Sequence, residues 1–374
     1  ALRQEGVRER GQFDPAALPF PSSRIEVGRK LDAGAVTQAF KTAIDAWTPD
    51  AVFVGCGFFL KPHIINALRN YPMAVRYYSY EAVCQKDILH YRDGAPCNTH
   101  YLETPDYCRQ CALDFHAPAL RRGQHNAWLA EYLAADAFKP EYHALCQKAL
   151  GLAKMAVVYN QPMAEQLEAY CPVAIMPGGA DLENFKASPT PGHDRKVILM
   201  TGRAEDPANG LAILLAAGEH LAADRDDFEI WATVPEDTPG PPWFKAAGWR
   251  SHDEIAALYA ESDICVVPSV WEEPFGMTAV EAIAVGRPVC ASRVGGLQEI
   301  VLDGETGYLT PPGDAAALAE RLGLLLDDED LRTRMGAAGR KRAEKEYAWK
   351  AVTQRHLPPM LDKLVPGWRD HPCG

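Results

Sequence analysis

Two carboxylates eight positions apart, Glu273 and Glu281, stand in the run EEPFGMTAVEA. Between them Pro274, Phe275, Gly276, Met277 and Thr278 carry the chain from a loop into an apolar segment read as a helix over residues 277–285. Carboxylates so placed can grip hydroxyls at two ends of one ligand, each charge-assisted bond being worth roughly 1.5–3 kcal/mol. The amides at a helix start lack intrahelical acceptors, and the helix dipole favours an anion there. Gly276 has no Cβ to keep a ligand away from the backbone. Hydroxyls held at both ends and phosphate held between them describe a nucleotide sugar.

The elements that position these residues follow from the flanking pattern. An apolar strand at residues 264–267 runs into the loop, and Gly286 and Pro288 stop the helix. A second buried strand at 289–292 leads to Gly295-Gly296 and another helix start. Both loops then sit at the carboxyl end of a parallel strand, where open α/β sheets bind ligands.

Together with Asp303-Gly304-Glu305-Thr306-Gly307-Tyr308-Leu309, this string resembles the retaining GT-B glycosyltransferases of family 4. The resemblance spans residues 50–361 and is densest over 196–309. It implies an α/β fold of the GT-B kind, two Rossmann-like doubly wound domains facing across a cleft. It also implies a nucleotide-diphosphate sugar as donor, with UDP or GDP as the nucleotide, and a reaction that needs no cofactor and no catalytic metal. In the family, the loop after the strand at 196–201 carries an Arg and, six positions on, a Lys, which neutralise the diphosphate. Gly202 and Arg203 match, and an Arg fork suits a diphosphate. The second cation is replaced by Asn209, at the start of a helix read over 208–223. The nucleobase is expected near Gly248, which places Trp249 and Arg250 beside it. Glu281 is expected on the ribose, and Glu273 with the 275–277 amides on the transferred sugar. Arg203 and the Thr278 amide are expected on the diphosphate. Glu273, Glu281 and Arg203 are therefore the catalytic set.

The first half alternates helix and strand: helix 31–47, strand 51–56, helix 62–70, strand 73–78, the βαβα pattern of a parallel sheet. The family's opening strand and Gly-rich acceptor loop are not found, residues 1–30 offering only a short strand at 24–27. Where the family places a His-Asp pair after the strand at 73–78, this chain has Tyr78-Ser79-Tyr80-Glu81, so Tyr80 and Glu81 are the expected cleft residues. Met176-Pro177-Gly178-Gly179-Ala180-Asp181, with Phe185 behind it, resembles the family's P-N-G-V-D-x-x-x-F segment, with Gly178 in place of the Asn. The domains are accordingly read as 1–187, binding acceptor, and 188–349, binding donor. A last helix, 350–374, starts beside Tyr347-Ala348-Trp349 and crosses back to the first domain.

An insertion at 84–111 holds Cys84, Cys97, Cys108 and Cys111, spaced C-x12-C-x10-C-x2-C. Cys108-x2-Cys111 is the knuckle of a structural zinc site, and four thiolates complete a tetrahedron. Four free thiols are the other reading. The mostly helical stretch 116–152 follows.

The 374 residues suggest two domains, and 47% hydrophobic with 24% charged residues is a globular composition. A net charge of −12 excludes duplex nucleic acid as a partner and disfavours broad adhesion to anionic lipid, leaving a local patch as the route to peripheral membrane docking. No apolar run approaches the roughly 20 residues of a membrane span. The chain begins at Ala1 without a Met, which leaves its true start open. Ten scattered cysteines read as reduced, hence cytoplasmic, at most at the inner face of the membrane. Cys56, Cys265 and Cys290 read as strand residues of the core. Asp224-Arg225-Asp226 is formally D-x-D but falls at the edge opposite the ligand loops and reads as a solvated turn. The expected reaction is hexosyl transfer to a saccharide or lipid-linked saccharide. The alternatives are a nucleotide-sugar epimerase or related GT-B enzyme and, in another class, an inactive nucleotide-sugar-binding protein.

Overall fold

The computed structural model describes residues 32–370 apart from Ile88, Asp93, His125 and Thr190. The strand read at 24–27 and the last residues of the terminal helix reading, 371–374, lie outside the described residues. The first half runs α1 (Ala33–Trp47), β1 (Val52–Val54), α2 (Lys61–Ala67), β2 (Met73–Arg76), and a hairpin of β3 (Tyr91–Arg92) and β4 (Ala95–Pro96). It continues through α3 (Pro105–Arg121), α4 (Ala127–Ala134), α5 (Glu141–Leu152), β5 (Met155–Val158), α6 (Gln161–Glu165) and β6 (Val173–Ile175). Strands β1, β2, β5 and β6 pair in that order, all parallel. β2 and β5 are buried throughout, as strands covered on both faces must be.

The second half holds β7 (Lys196–Met200), α7 (Leu211–Ala222), β8 (Phe228–Ala232), β9 (Phe244–Ala246), α8 (His252–Glu261), β10 (Ile264–Val267) and α9 (Met277–Val285). Then come β11 (Val289–Ser292), α10 (Leu297–Ile300), β12 (Gly307–Thr310), α11 (Ala315–Asp327), α12 (Glu329–Arg342) and α13 (Trp349–Leu364). Its parallel sheet has the order β12-β11-β10-β7-β8-β9. The chain fills one side from β7 outward, then returns beside β7 with β10 and fills the other. The order therefore reverses between β7 and β10, and a crevice opens above their carboxyl ends.

The two halves are joined by two crossings that pair with each other. Ala180 N donates to the Tyr347 carbonyl at 2.7 Å, and Ala180 and Ala348 form an isolated parallel bridge. A π-helical turn, Ala343–Tyr347, redirects the chain into α13. Met360 and Leu364 of α13 then bury against Ala74, Met155 and Val157 of the first sheet.

Several element readings are corrected. Residues 116–152 form parts of three helices, and α3 begins earlier, with Pro105 in its first turn, where a missing N–H costs nothing. Cys108 and Cys111 consequently sit on a helix, not in a loop knuckle. Cys56 lies beyond β1, whereas Cys265 and Cys290 are buried in β10 and β11. The helix read at 208–223 is a 3-10 turn, Pro207–Asn209, and then α7. Gly210 divides them at φ +84°, where a Cβ would lie 2.0 Å from the Pro268 carbonyl oxygen. Strand β9 was hidden among prolines and was not anticipated. Asp224-Arg225-Asp226 lies between α7 and β8, with Arg225 paired to Asp227 at 2.7 Å and Asp327 at 2.9 Å.

Candidate active site

A cavity of about 340 Å³ lies at the β7/β10 reversal. Thr201, Gly202 and Arg203 reach it from the loop after β7, and Ser269, Trp271 and Glu273 from the loop after β10. Pro274, Phe275, Gly276, Met277 and Thr278 close one side, with Asn209 beside them. Nine of the expected donor residues are thus brought to one space. From the first domain, Tyr78, Ser79 and Tyr159 complete the wall.

Helix α9 opens on this cavity. Gly276 is its N-cap, and no side chain caps it, so its first amides are left for a ligand. Gly276 takes φ +107°, and a Cβ there would stand 2.5 Å from a Leu297 methyl, so glycine is demanded by backbone and packing together. Opposite, Gly202 turns at φ +92°, and its carbonyl accepts from the Thr233 hydroxyl at 2.8 Å. Arg203, exposed, is the single Lys or Arg among the described lining residues. Asn209 carries no charge into the site. It braces it, Nδ2 donating to the Arg203 carbonyl at 2.8 Å and Oδ1 accepting from Trp271 Nε1 at 3.2 Å.

Glu273 accepts from the Ser269 hydroxyl at 3.3 Å. Burial pushes its carboxyl up to about 7, Asp206 adding to the rise, while the Ser269 bond and the Arg203 charge oppose it. A carboxyl so poised can accept from, or donate to, a sugar hydroxyl near neutrality. The loop beneath it rests on Gly295-Gly296. Glu272 Oε2 accepts from Gly295 N at 2.8 Å, and the Glu273 carbonyl accepts from Gly296 N at 2.7 Å. A Cβ on Gly295 would lie 2.1 Å from the Glu273 carbonyl oxygen, so this pair supports the Glu273 loop from below and does not line the cavity.

Five expected positions fall elsewhere. Glu281 lies one helical turn past Thr278, outside the cavity lining, where its Oε2 accepts from Tyr259 Oη at 3.0 Å. Trp249 and Arg250 also lie outside the lining. Trp249 is exposed, and Arg250 stands 3.6 Å from Glu236. Glu81 turns inward. It accepts from the amides of Tyr78 at 2.9 Å and Ser79 at 2.7 Å, and pairs at 2.8 Å with the buried Lys61, which also donates to the Arg76 carbonyl. Tyr80 is buried against His90 with ring centroids 5.3 Å apart, and burial followed by the Glu272 and Glu273 charges pushes its phenol up. Glu81 therefore shapes the loop that presents Tyr78 and Ser79, and these two take the place expected for Tyr80 and Glu81. Alternation in an irregular loop cannot say which residue faces in; the partner Lys61, twenty positions upstream, decides it.

The fold and its cleft define a GT-B architecture, two parallel α/β domains with the ligand crevice between them. Residues 244–342 match the family model described as glycosyl transferases group 1. The chain is similar to a phosphatidyl-myo-inositol mannosyltransferase of Mycobacterium leprae, 32% identical over 203 residues that cover 51% of this chain and 54% of that protein. It thus spans about half the length of that curated relative. Among solved structures it is similar to sucrose-phosphate synthase of Thermosynechococcus elongatus, with TM-score 0.62 and 22% identity, covering 89% of this chain and 78% of that one. It is also similar to Anabaena HepE in complex with UDP and glucose, with TM-score 0.60 and 17% identity, covering 87% of this chain and 81% of that one. At these identities the structural likeness is one of fold.

Proposed function

We propose that the chain is a retaining glycosyltransferase that moves a hexose-type sugar from a UDP- or GDP-sugar to a saccharide or lipid-linked saccharide, with no metal in the transfer step. The observation that carries this reading is the convergence of Arg203, the uncapped start of α9 and Glu273 on one cavity at the sheet's reversal point. The similarity to a mannosyltransferase and the fold shared with a UDP complex support it.

In this reading the diphosphate lies against Arg203 and the α9 amides, the ribose near Glu281 and the sugar against Glu273. The bond from the anomeric carbon to the diphosphate oxygen breaks as the acceptor oxygen bonds that carbon, and the acceptor proton leaves on the diphosphate. Donors fixed where charge develops favour the departing group, and closure against Tyr78 and Tyr159 excludes water. No helix among the described residues is long and apolar enough to cross a membrane.

The test is a thermal-shift and transfer panel with UDP, GDP and their sugar conjugates on the wild type and on Arg203→Ala. Ligand at 100 times its dissociation constant stabilises by about 2.7 kcal/mol, a shift of roughly 2–4 °C. One nucleotide series should shift the wild type and lose its effect in the variant. No shift with any nucleotide would sink the reading.

A further inference from the structure

Cys84, Cys97, Cys108 and Cys111 come from a turn, the end of a hairpin and a helix, yet all four line one small cavity of about 20 Å³. Cys108 and Cys111, three positions apart on α3, share one helix face. Cys97 follows β4, whose pairing with β3 folds it back toward that face. The Thr99 hydroxyl stands between two of the thiols, 3.0 Å from Cys97 Sγ and 3.7 Å from Cys108 Sγ. All four are free thiols. As they stand, no three His, Cys, Asp or Glu side chains among the described residues are placed to hold a metal ion, so ligation needs the thiols to turn inward past Thr99.

We propose that these four cysteines bind one zinc ion, as a structural site that ties the 84–111 excursion to α3. The volume suits a single ion: one water-sized sphere needs about 10–15 Å³, and an iron–sulfur cluster needs several times more. Four thiolates around Zn²⁺ leave a net charge of −2, and Lys86 and Arg92 line the same cavity to balance it. On ligation each thiol gives its proton to solvent, and Zn–S bonds of about 2.3 Å replace the Thr99 contacts. The two-residue strands of the hairpin have little core of their own, which is where a metal staple adds most. His90 lines this cavity, which shares no lining residue with the cavity at the β7/β10 reversal, so the site acts on the fold of the 84–111 segment and not on the chemistry.

The experiment is metal analysis of the full chain purified under reducing conditions, with cobalt loading of chelator-stripped protein. About one zinc per chain is expected, with the visible bands of tetrahedral thiolate cobalt. Alkylation should spare these four cysteines until chelator is added. Cys108→Ser/Cys111→Ser should lose the metal, and Cys146→Ser, outside the cavity, should keep it. Should the double variant not fold, wild-type stoichiometry and alkylation still decide. Protein without zinc that takes up no cobalt, with these four thiols freely alkylated or joined as disulfides, overturns the site. None of these readouts depends on sugar transfer.

Discussion

Asn160 joins the two domains through one amide: its Nδ2 donates to the Pro274 carbonyl at 2.7 Å, and its Oδ1 accepts from the Met163 amide at 2.9 Å. The neighbouring Tyr159 ring stacks on Phe275 at 5.2 Å and 16°, with the Arg76 guanidinium 3.8 Å from the Tyr159 centroid. The loop that carries Glu273 is therefore held by both domains at once. Its geometry depends on how the first domain sits against the second.

Asn160→Asp tests that dependence. The carboxylate keeps the acceptor for Met163 but presents an oxygen to the Pro274 carbonyl in place of the donor. Losing a buried bond of this kind costs about 1–3 kcal/mol. Since Arg203 and α9 belong to the second domain, nucleotide affinity by calorimetry should stay within about twofold while kcat falls roughly tenfold or more. Equal loss of both would mean that Asn160 supports the fold and not the loop.

Glu273 gives a pH signature. Its folded carboxyl titrates at about 7, above the ordinary value of 4.5, with burial as the main cause. Between these values the folded chain binds more protons than the unfolded one, so stability falls as pH rises through that window and levels off above it. Because Glu273 keeps some solvent contact, the loss is on the order of 1–3 kcal/mol. Denaturant midpoints at pH 5 and pH 8 should drop further for wild type than for Glu273→Gln. Equal drops would show that the carboxyl is not raised.

Much of this site was legible because its signals are local. The Gly276 turn, the α9 start and the strand-loop-helix order each lie within a few residues, and they bring nine expected positions to one cavity. The readings that failed depended on distant partners. Glu81 faces inward because of Lys61, and Gly295-Gly296 packs on the backbone of residues 273–275. The helix start of α3 was signalled by Pro105 but was masked by the cysteine spacing around it. Strand β9, three residues among prolines, has no periodicity to find.

Gly178 belongs with the distant causes. The resemblance puts an Asn there, but a Cβ would lie 2.5 Å from a Phe275 ring carbon. The glycine is thus the counterpart of the ring stacked on Tyr159. Gly178→Asn should destabilise by about 1–3 kcal/mol through overpacking and lower transfer by displacing Phe275. Pairing it with Phe275→Leu should recover part of the stability in chemical denaturation, since the two changes share one space. Additive losses would place the cause elsewhere.

Asn209→Lys asks what the missing second cation is worth. The substitution forfeits the bonds to the Arg203 carbonyl and to Trp271 Nε1, so melting should come earlier, by an amount matching about 1–2 kcal/mol. In exchange it sets an ammonium on the wall that already holds Arg203. A diphosphate should then bind about 5–10 times more tightly at low salt, with the gain shrinking as ionic strength rises. Calorimetry with UDP and GDP at two salt concentrations measures both parts. If affinity does not rise, the diphosphate does not lie against position 209, and the balance of charge in this site rests on Arg203 and the helix start alone.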